Sequence, residues 1–201
     1  LRWRFFCEHG GAMSAILAGD REKWDARAAA IGRGDPYNLR RFTVGQREHQ
    51  ERAVREIRAG KKQSHWMWYV IPTPPYIVGG RQVGSPTNRR YALGEQAAHE
   101  YLRFQADGVI LRENYLEIMT AVRDQLSAGI PPRRLMGPAD ESKLHSSAEL
   151  FERVGREARD AAVQGLCREV LDLMAAEGKS PRTPGSRRAG SGVISEACAV
   201  C

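Results

Sequence analysis

Leu111, Tyr115, Ile118, Val122 and Leu126 step along the chain by 4, 3, 4 and 4 residues. That spacing puts all five on one face of a helix and leaves the other face polar. The same stepping returns elsewhere. Leu39, Phe42, Ala53 and Ile57 carry it from Asp35 to Ala59, and Leu93, Ala97 and Tyr101 carry it from Arg89 to Phe104. After Asp140 it is Leu144, Ala148, Phe151 and Val154, and from Gly155 to Ala176 it is Ala158, Ala162, Leu166, Val170 and Leu173. Alternating apolar and polar residues, the mark of a half-buried strand, are scarce. The expected fold class is therefore all-α: a multihelical single-domain bundle without simple up-and-down order.

The breaks between these stripes set the boundaries. Asp35-Pro36 reads as a helix start, with Asp as cap and Pro where no N–H is needed, and Gly60 reads as its stop. Asp107 or Gly108 is read as the start of the Leu111–Leu126 helix, and Ile130 to Met136 as a short helical turn ending at Gly137. Pro72 through Asn88 holds three further prolines and three glycines, and forms one long Pro/Gly-rich interior loop. Within it, Tyr76 to Val83 suits a small hairpin turning at Gly79-Gly80. The domain is placed at 35–178. Residues 1–34 are an N-terminal extension, partly helical through Ile16, Leu17, Trp24 and Ala28, and 179–201 are a disordered basic tail rich in Ser, Gly, Pro and Arg. Residues 1–12 precede the first Met and read as upstream readthrough or a fragment edge, poorly ordered like 184–201.

Charge says little about a partner. The formal net charge is +7, but the extension carries +2, the tail +3 and the domain only +2. A nucleic-acid binder concentrates basic charge on its folded face, and no dense patch of that kind stands out. The four cysteines, Cys7, Cys167, Cys198 and Cys201, make neither a disulfide framework nor a metal set. No apolar run approaches a membrane span. A soluble, cytoplasmic setting follows as the expectation. Cys198-Ala199-Val200-Cys201 has the C-a-a-X form behind a basic segment, so membrane attachment depends on prenylation of Cys198; Cys at the last position and Ala199 speak against it.

Chemistry is sought in two places. The first is Gly60 to Pro72, GKKQSHWMWYVIP, which mixes Lys62, Ser64 and His65 with Trp66, Trp68 and Tyr69 and is too short for periodicity to assign. The second is the helix after Asp140, where Asp140, Lys143 and Ser147 share a face and Ser146 flanks them. Gln46 and His49 also interrupt the apolar Leu39–Ile57 stripe, so a polar group faces inward there. For His49 the plainer reading is a satisfied core or boundary histidine. Taken together, Gln46, Lys62, Ser64, His65, Trp66, Trp68, Lys143, Ser146 and Ser147 are the candidate ligand-binding residues. Gln46, Lys62, His65, Asp140 and Lys143 are expected to converge. A Trp face could stack a base, Lys meet phosphate, and Ser or Gln fix orientation. The ligand class is small and anionic, or nucleotide-like; a protein partner is the other possibility. If the chain is an enzyme, a hydrolase acting on a nucleotide-like substrate, His65 or Asp140 is its acid/base. The structural alternative is equally plain: Asp140 as a helix cap, the serines in close packing, the tryptophans in the core. No P-loop, dinucleotide fingerprint, Ser-His-Asp order or metal set is present, so no cofactor and no metal are implied.

The same residues carry a resemblance. Asp35-Pro36-x-Asn38-Leu39-x-Arg41-Phe42, Gln46, Gly60-Lys61-Lys62-x-Ser64-His65-Trp66-Met67-Trp68-Tyr69-x-x-Pro72, Tyr91-Ala92-Leu93, Tyr101-Leu102, Leu111-Arg112-Glu113 and Gly137-x-x-Asp140-x-x-Lys143-Leu144-x-Ser146-Ser147-x-x-Leu150-Phe151 resemble the family known as domain of unknown function 1810. It is sometimes labelled calpastatin-like; nothing in these residues supports calpain inhibition. The resemblance covers about residues 35–183 and implies a mainly helical intracellular domain with no established activity. Thr73 stands where the family has Gln, the following loop is longer, and Phe104-Gln105 replaces a His-Pro pair.

Overall fold

The structure, a computed structural model, describes residues 34–177. The expectations for the N-terminal extension, the basic tail and the C-terminal Cys198 motif lie outside the described residues.

Helix α1 spans Arg40–Arg58, later than the Asp35-Pro36 signal placed it. Asp35 still caps it from a distance. Its carboxylate accepts from the amides of Leu39 at 2.6 Å and Arg40 at 2.9 Å, while Asn38 takes a left-handed φ of 52° to turn the chain inward. Leu39, Phe42, Ala53 and Ile57 are buried as the stripe requires, and Gln46 is buried with them. His49 is only half-buried, against the ring of Tyr69.

The aromatic run settles as helix. Met67–Val70 forms a single turn, α2, that buries Met67 and Val70 and leaves Trp68 and Tyr69 half-covered. A hairpin follows as expected: β1 (Ile77–Val78) pairs antiparallel with β2 (Arg81–Gln82) around Gly79-Gly80.

Three expectations need correction. The helix read from Arg89 to Phe104 is two helices, α3 (Pro86–Tyr91) and α4 (Glu95–Tyr101). Ser85 caps α3 through the Asn88 amide, and Ala92 leaves the helix at ψ 134°. The break is held by tertiary structure: the Leu93 amide donates to the Thr73 carbonyl at 2.9 Å, and the Leu93 side chain is fully buried. The second correction concerns Asp107-Gly108, which does not start a helix. Both residues are left-handed, φ 56° and 77°, and they turn a second hairpin, β3 (Gln105–Ala106) with β4 (Val109–Ile110). Two positive φ values in a two-residue loop match the twist of the flanking strands, which is why Asp-Gly suits it. Third, the last helix does not begin at Gly155. After α5 (Leu111–Ser127) and the short α6 (Pro132–Met136), α7 runs Glu141–Glu157 and α8 runs Ala161–Glu177. The turn between them shifts the α8 stripe, so Val163 and Cys167 are buried and Ala162 is exposed.

Helices α7 and α8 pack along each other, α5 lies against both α1 and α8, and α4 rests on α7. Phe42, Tyr101, Tyr115 and Phe151 meet at the centre, with ring centroids 4.1–5.4 Å apart. Burial of each such side chain contributes roughly 1.5–3 kcal/mol. Arg112 at the start of α5 grips Asp160 with two bonds of 2.6 and 2.9 Å, and Asp160 also accepts from the Val163 amide, so one carboxylate fastens three elements.

Where α7 meets α8 there is no room for a side chain at Gly155. A methyl group there would sit 2.8 Å from the backbone nitrogen of Gln164. Gly155→Ala is therefore expected to cost about 2 kcal/mol through forced separation of the two helices. A urea midpoint equal to that of the parent chain would refute this close approach.

Candidate functional site

The site is assembled from the C-terminal end of α1. Glu56 turns its carboxylate under the loop that follows. It accepts from the amides of Gln63 (2.8 Å) and Ser64 (3.0 Å), the Ser64 hydroxyl (2.5 Å) and the Trp66 indole N–H (2.8 Å). Burial pushes the pKa of this carboxyl up, but the donors from Ser64, Gln63 and Trp66 outweigh it and hold its pKa at about 2. The loop is pinned on its other side by the Lys62 amide, which donates to the Leu135 carbonyl of α6 at 2.7 Å.

So fixed, Lys62 reaches the start of α7. Its ammonium lies 2.7 Å from one oxygen of Asp140, and Lys143 lies 2.6 Å from the other. Asp140 stands at the N-cap position but caps nothing with its side chain; both oxygens face ammonium groups instead. The side chains are 8% (Lys62), 13% (Asp140) and 24% (Lys143) exposed, so the pairings are shielded from bulk water. Burial pushes the Asp140 carboxyl up, yet Lys143 and Lys62 together hold it below its ordinary value. Each ammonium also lies over an indole: Lys62 is 5.2 Å from the Trp66 ring and Lys143 is 5.3 Å from the Trp68 ring. The indole nitrogen of Trp68 is hidden from solvent and has no hydrogen-bond partner among the described residues.

The structure brings together Lys62, Trp66, Trp68, Asp140 and Lys143. Other expected members lie apart. Gln46 is used in the core, where it donates to the Tyr69 carbonyl and the Tyr101 hydroxyl and accepts from Asn114. Its polar place in an apolar stripe is thereby explained without a ligand. Ser147 is fully buried at the Tyr115 hydroxyl, 3.3 Å away, with Cys167 on the same hydroxyl. The Ser64 hydroxyl belongs to Glu56. His65 is exposed, and its backbone carbonyl accepts from the Tyr69 hydroxyl. Ser146 is half-buried on α7. The expected convergence therefore holds for Lys62, Asp140 and Lys143, while Gln46 points into the core and the exposed His65 shares no hydrogen bond or ion pair with Asp140 among the described residues.

Glu56 escaped the sequence reading. Its partners follow it by 7 to 10 residues, across a helix end, and no motif spacing marks such a contact. Two shallow concavities lie elsewhere, one at the 105–110 hairpin and one between Glu149 and Asp172; neither is lined by these residues. Among the described residues no group of three His, Cys, Asp or Glu side chains is placed to hold a metal ion.

A family model described as protein of unknown function (DUF1810) matches residues 36–183. The chain belongs to the DUF1810 family. The matched span holds every member of the Glu56–Lys62–Asp140–Lys143 arrangement. The chain is also similar to a solved structure, the conserved hypothetical protein Rv1873 from Mycobacterium tuberculosis, at 30% identity and a TM-score of 0.53. That likeness covers 70% of this chain and 99% of the other. No curated protein matches the chain. The likeness to this neighbour agrees with a mainly helical domain, and neither description names an activity.

Proposed function

We propose that the chain binds a small anionic, nucleotide-like ligand through Lys143 and Trp68, with Lys62 neutralising Asp140 behind them. The observation that carries this reading is an excess of donors. Among the described residues two shielded ammonium groups share one carboxylate, which leaves one positive charge over, and a hidden indole N–H beside Lys143 has no acceptor. A phosphate accepting from Lys143 would answer the charge, a small turn of the Trp68 ring would bring its N–H to the same phosphate, and the half-covered ring offers a face for a base. Binding is better supported than hydrolysis. Asp140 is held ionised by two lysines and is a weak base, and the exposed His65 makes no hydrogen bond or ion pair with it among the described residues. A cytoplasmic setting belongs to the same proposal, on the strength of the free buried thiol of Cys167. Among the described residues no helix is long and apolar enough to cross a membrane.

The test is thermal shift of the full chain with nucleotides and sugar phosphates, each beside its phosphate-free nucleoside or sugar. A ligand at one hundred times its dissociation constant stabilises by about 2.7 kcal/mol. Stabilisation by the phosphorylated compound alone, lost in Lys143→Met, is the expected result. Equal shifts in parent and variant, or none with any phosphate compound, would refute the assignment.

A further inference from the structure

The hairpin of β1 and β2 stands out from the bundle with its apolar residues uncovered. Tyr76 is 62% exposed, Ile77 53% and Val78 53%. Register places Val78 opposite Arg81 and Ile77 opposite Gln82, and the Val83 amide donates to the Tyr76 carbonyl. Since successive strand residues point to opposite faces, Tyr76, Val78 and Arg81 share one face and Ile77 lies on the other. The ribbon is thus apolar on both sides near its tip. A flat docking surface would cover only one face of this ribbon; an apolar medium accepts both.

Charge points the same way. From Ile57 to Gly94 the chain has no Asp or Glu, and it carries Arg58, Lys61, Lys62, Arg81, Arg89 and Arg90. Arg81, Arg89 and Arg90 are exposed and make no ion pair with a carboxylate among the described residues. Arg89 only holds the base of the hairpin, donating to the Gly84 carbonyl at 2.8 Å, and Arg90 lies 5.7 Å over Tyr91.

We infer that this hairpin is a membrane-surface element: Tyr76, Ile77 and Val78 enter the headgroup–acyl boundary of an anionic bilayer, and Arg81, Arg89 and Arg90 meet its phosphates and carboxylates. A tyrosine with two aliphatic neighbours suits that boundary, and the long arginine side chains reach headgroups while their stems stay apolar. Attraction of basic residues to an anionic leaflet amounts to about a fivefold gain in binding for each residue. The contact is reversible and depends on lipid charge. It is separate from the Lys62–Asp140 site, so either assignment can fail alone.

The experiment is sedimentation of the full chain, made in bacteria and so without a prenyl group, with phosphatidylcholine vesicles and with phosphatidylcholine–phosphatidylserine vesicles. The expected result is binding to the second only, weakened by salt. Arg81→Gln/Arg89→Gln/Arg90→Gln should weaken it about a hundredfold. Ile77→Asp/Val78→Asp should abolish it at unchanged melting temperature, because both side chains are exposed in the free protein. A chain that ignores anionic vesicles, or variants that bind as well as the parent, would overturn the inference. Polyglutamate binding without vesicle binding would overturn it too, and would assign the surface to an acidic protein.

Discussion

Replacement of Asp140 by alanine is expected to destabilise the chain by about 3 kcal/mol, because it strands two shielded ammonium groups around one missing carboxylate. Lys62 suffers most, being nearly sealed between Trp66 and the start of α7. The charge, rather than the lost packing, is the cause. Adding Lys62→Met and Lys143→Met to Asp140→Ala should therefore recover most of the loss, which a cavity would not permit. The pH dependence has a definite sign. Asp140 is held below its ordinary value of 3.8 in the folded chain, so its contribution is complete above that value and fades as pH falls beneath it. Guanidinium unfolding of parent and variant between pH 7 and strong acid checks this. A difference that stayed constant down to the lowest pH would show that ionisation of Asp140 has no part in it.

Glu56→Ala is the second large effect, again about 3 kcal/mol, since it leaves two amides, a hydroxyl and an indole N–H without their acceptor. Glu56→Gln keeps the shape and loses the charge, so it should fall between parent and alanine. The carboxyl goes from 4.5 to about 2 on folding. Its share of stability is present above 4.5 and is lost as pH falls toward 2, over a wider acid range than the ordinary carboxylate spans. Hydrogen exchange gives an independent reading: in Glu56→Ala the Gln63 and Ser64 amides should lose protection already under native conditions, by local opening, whereas those of α7 and α8 should lose only what the fall in global stability takes from them. If the Gln63 and Ser64 amides sped up by no more than those of α7 and α8, Glu56 would be supporting the whole bundle and not this loop in particular.

The helices were legible because their apolar residues recur at the helical period, as in Leu111 to Leu126 and Leu144 to Val154. Their interruptions were less so. The break at Ala92–Gly94 depends on the Thr73 carbonyl, a partner the local sequence does not name. The turn at Arg159 has no glycine or proline to announce it, although the residue is left-handed at φ 58°. Asp107-Gly108 did carry a hairpin signal, but both residues also suit the start of the amphipathic stretch beside them. In the site, Asp140 and Lys143 were legible as neighbours on one helix turn. Lys62 shares no period with them and arrives only because Glu56 and Leu135 fix its loop. Gln46 misled for a related reason: an inward polar side chain looks the same in a sequence whether it awaits a ligand or holds Tyr69 and Tyr101.

The two indoles among the described residues, Trp66 and Trp68, differ in a way that makes the proposed site visible by light. Trp66 is closed in the core with its N–H on Glu56, whereas Trp68 is half-covered beside the Lys143 ammonium. An excited indole has a larger dipole than the ground state, so the colour of its emission follows nearby charge. Movement of Lys143 toward an incoming anion would shift the Trp68 band and leave the Trp66 band in place. Once the chain's other two tryptophans, Trp3 and Trp24, are replaced by Phe, the protein holds its own dye and its own reference, and occupancy of the proposed site can be read without a label.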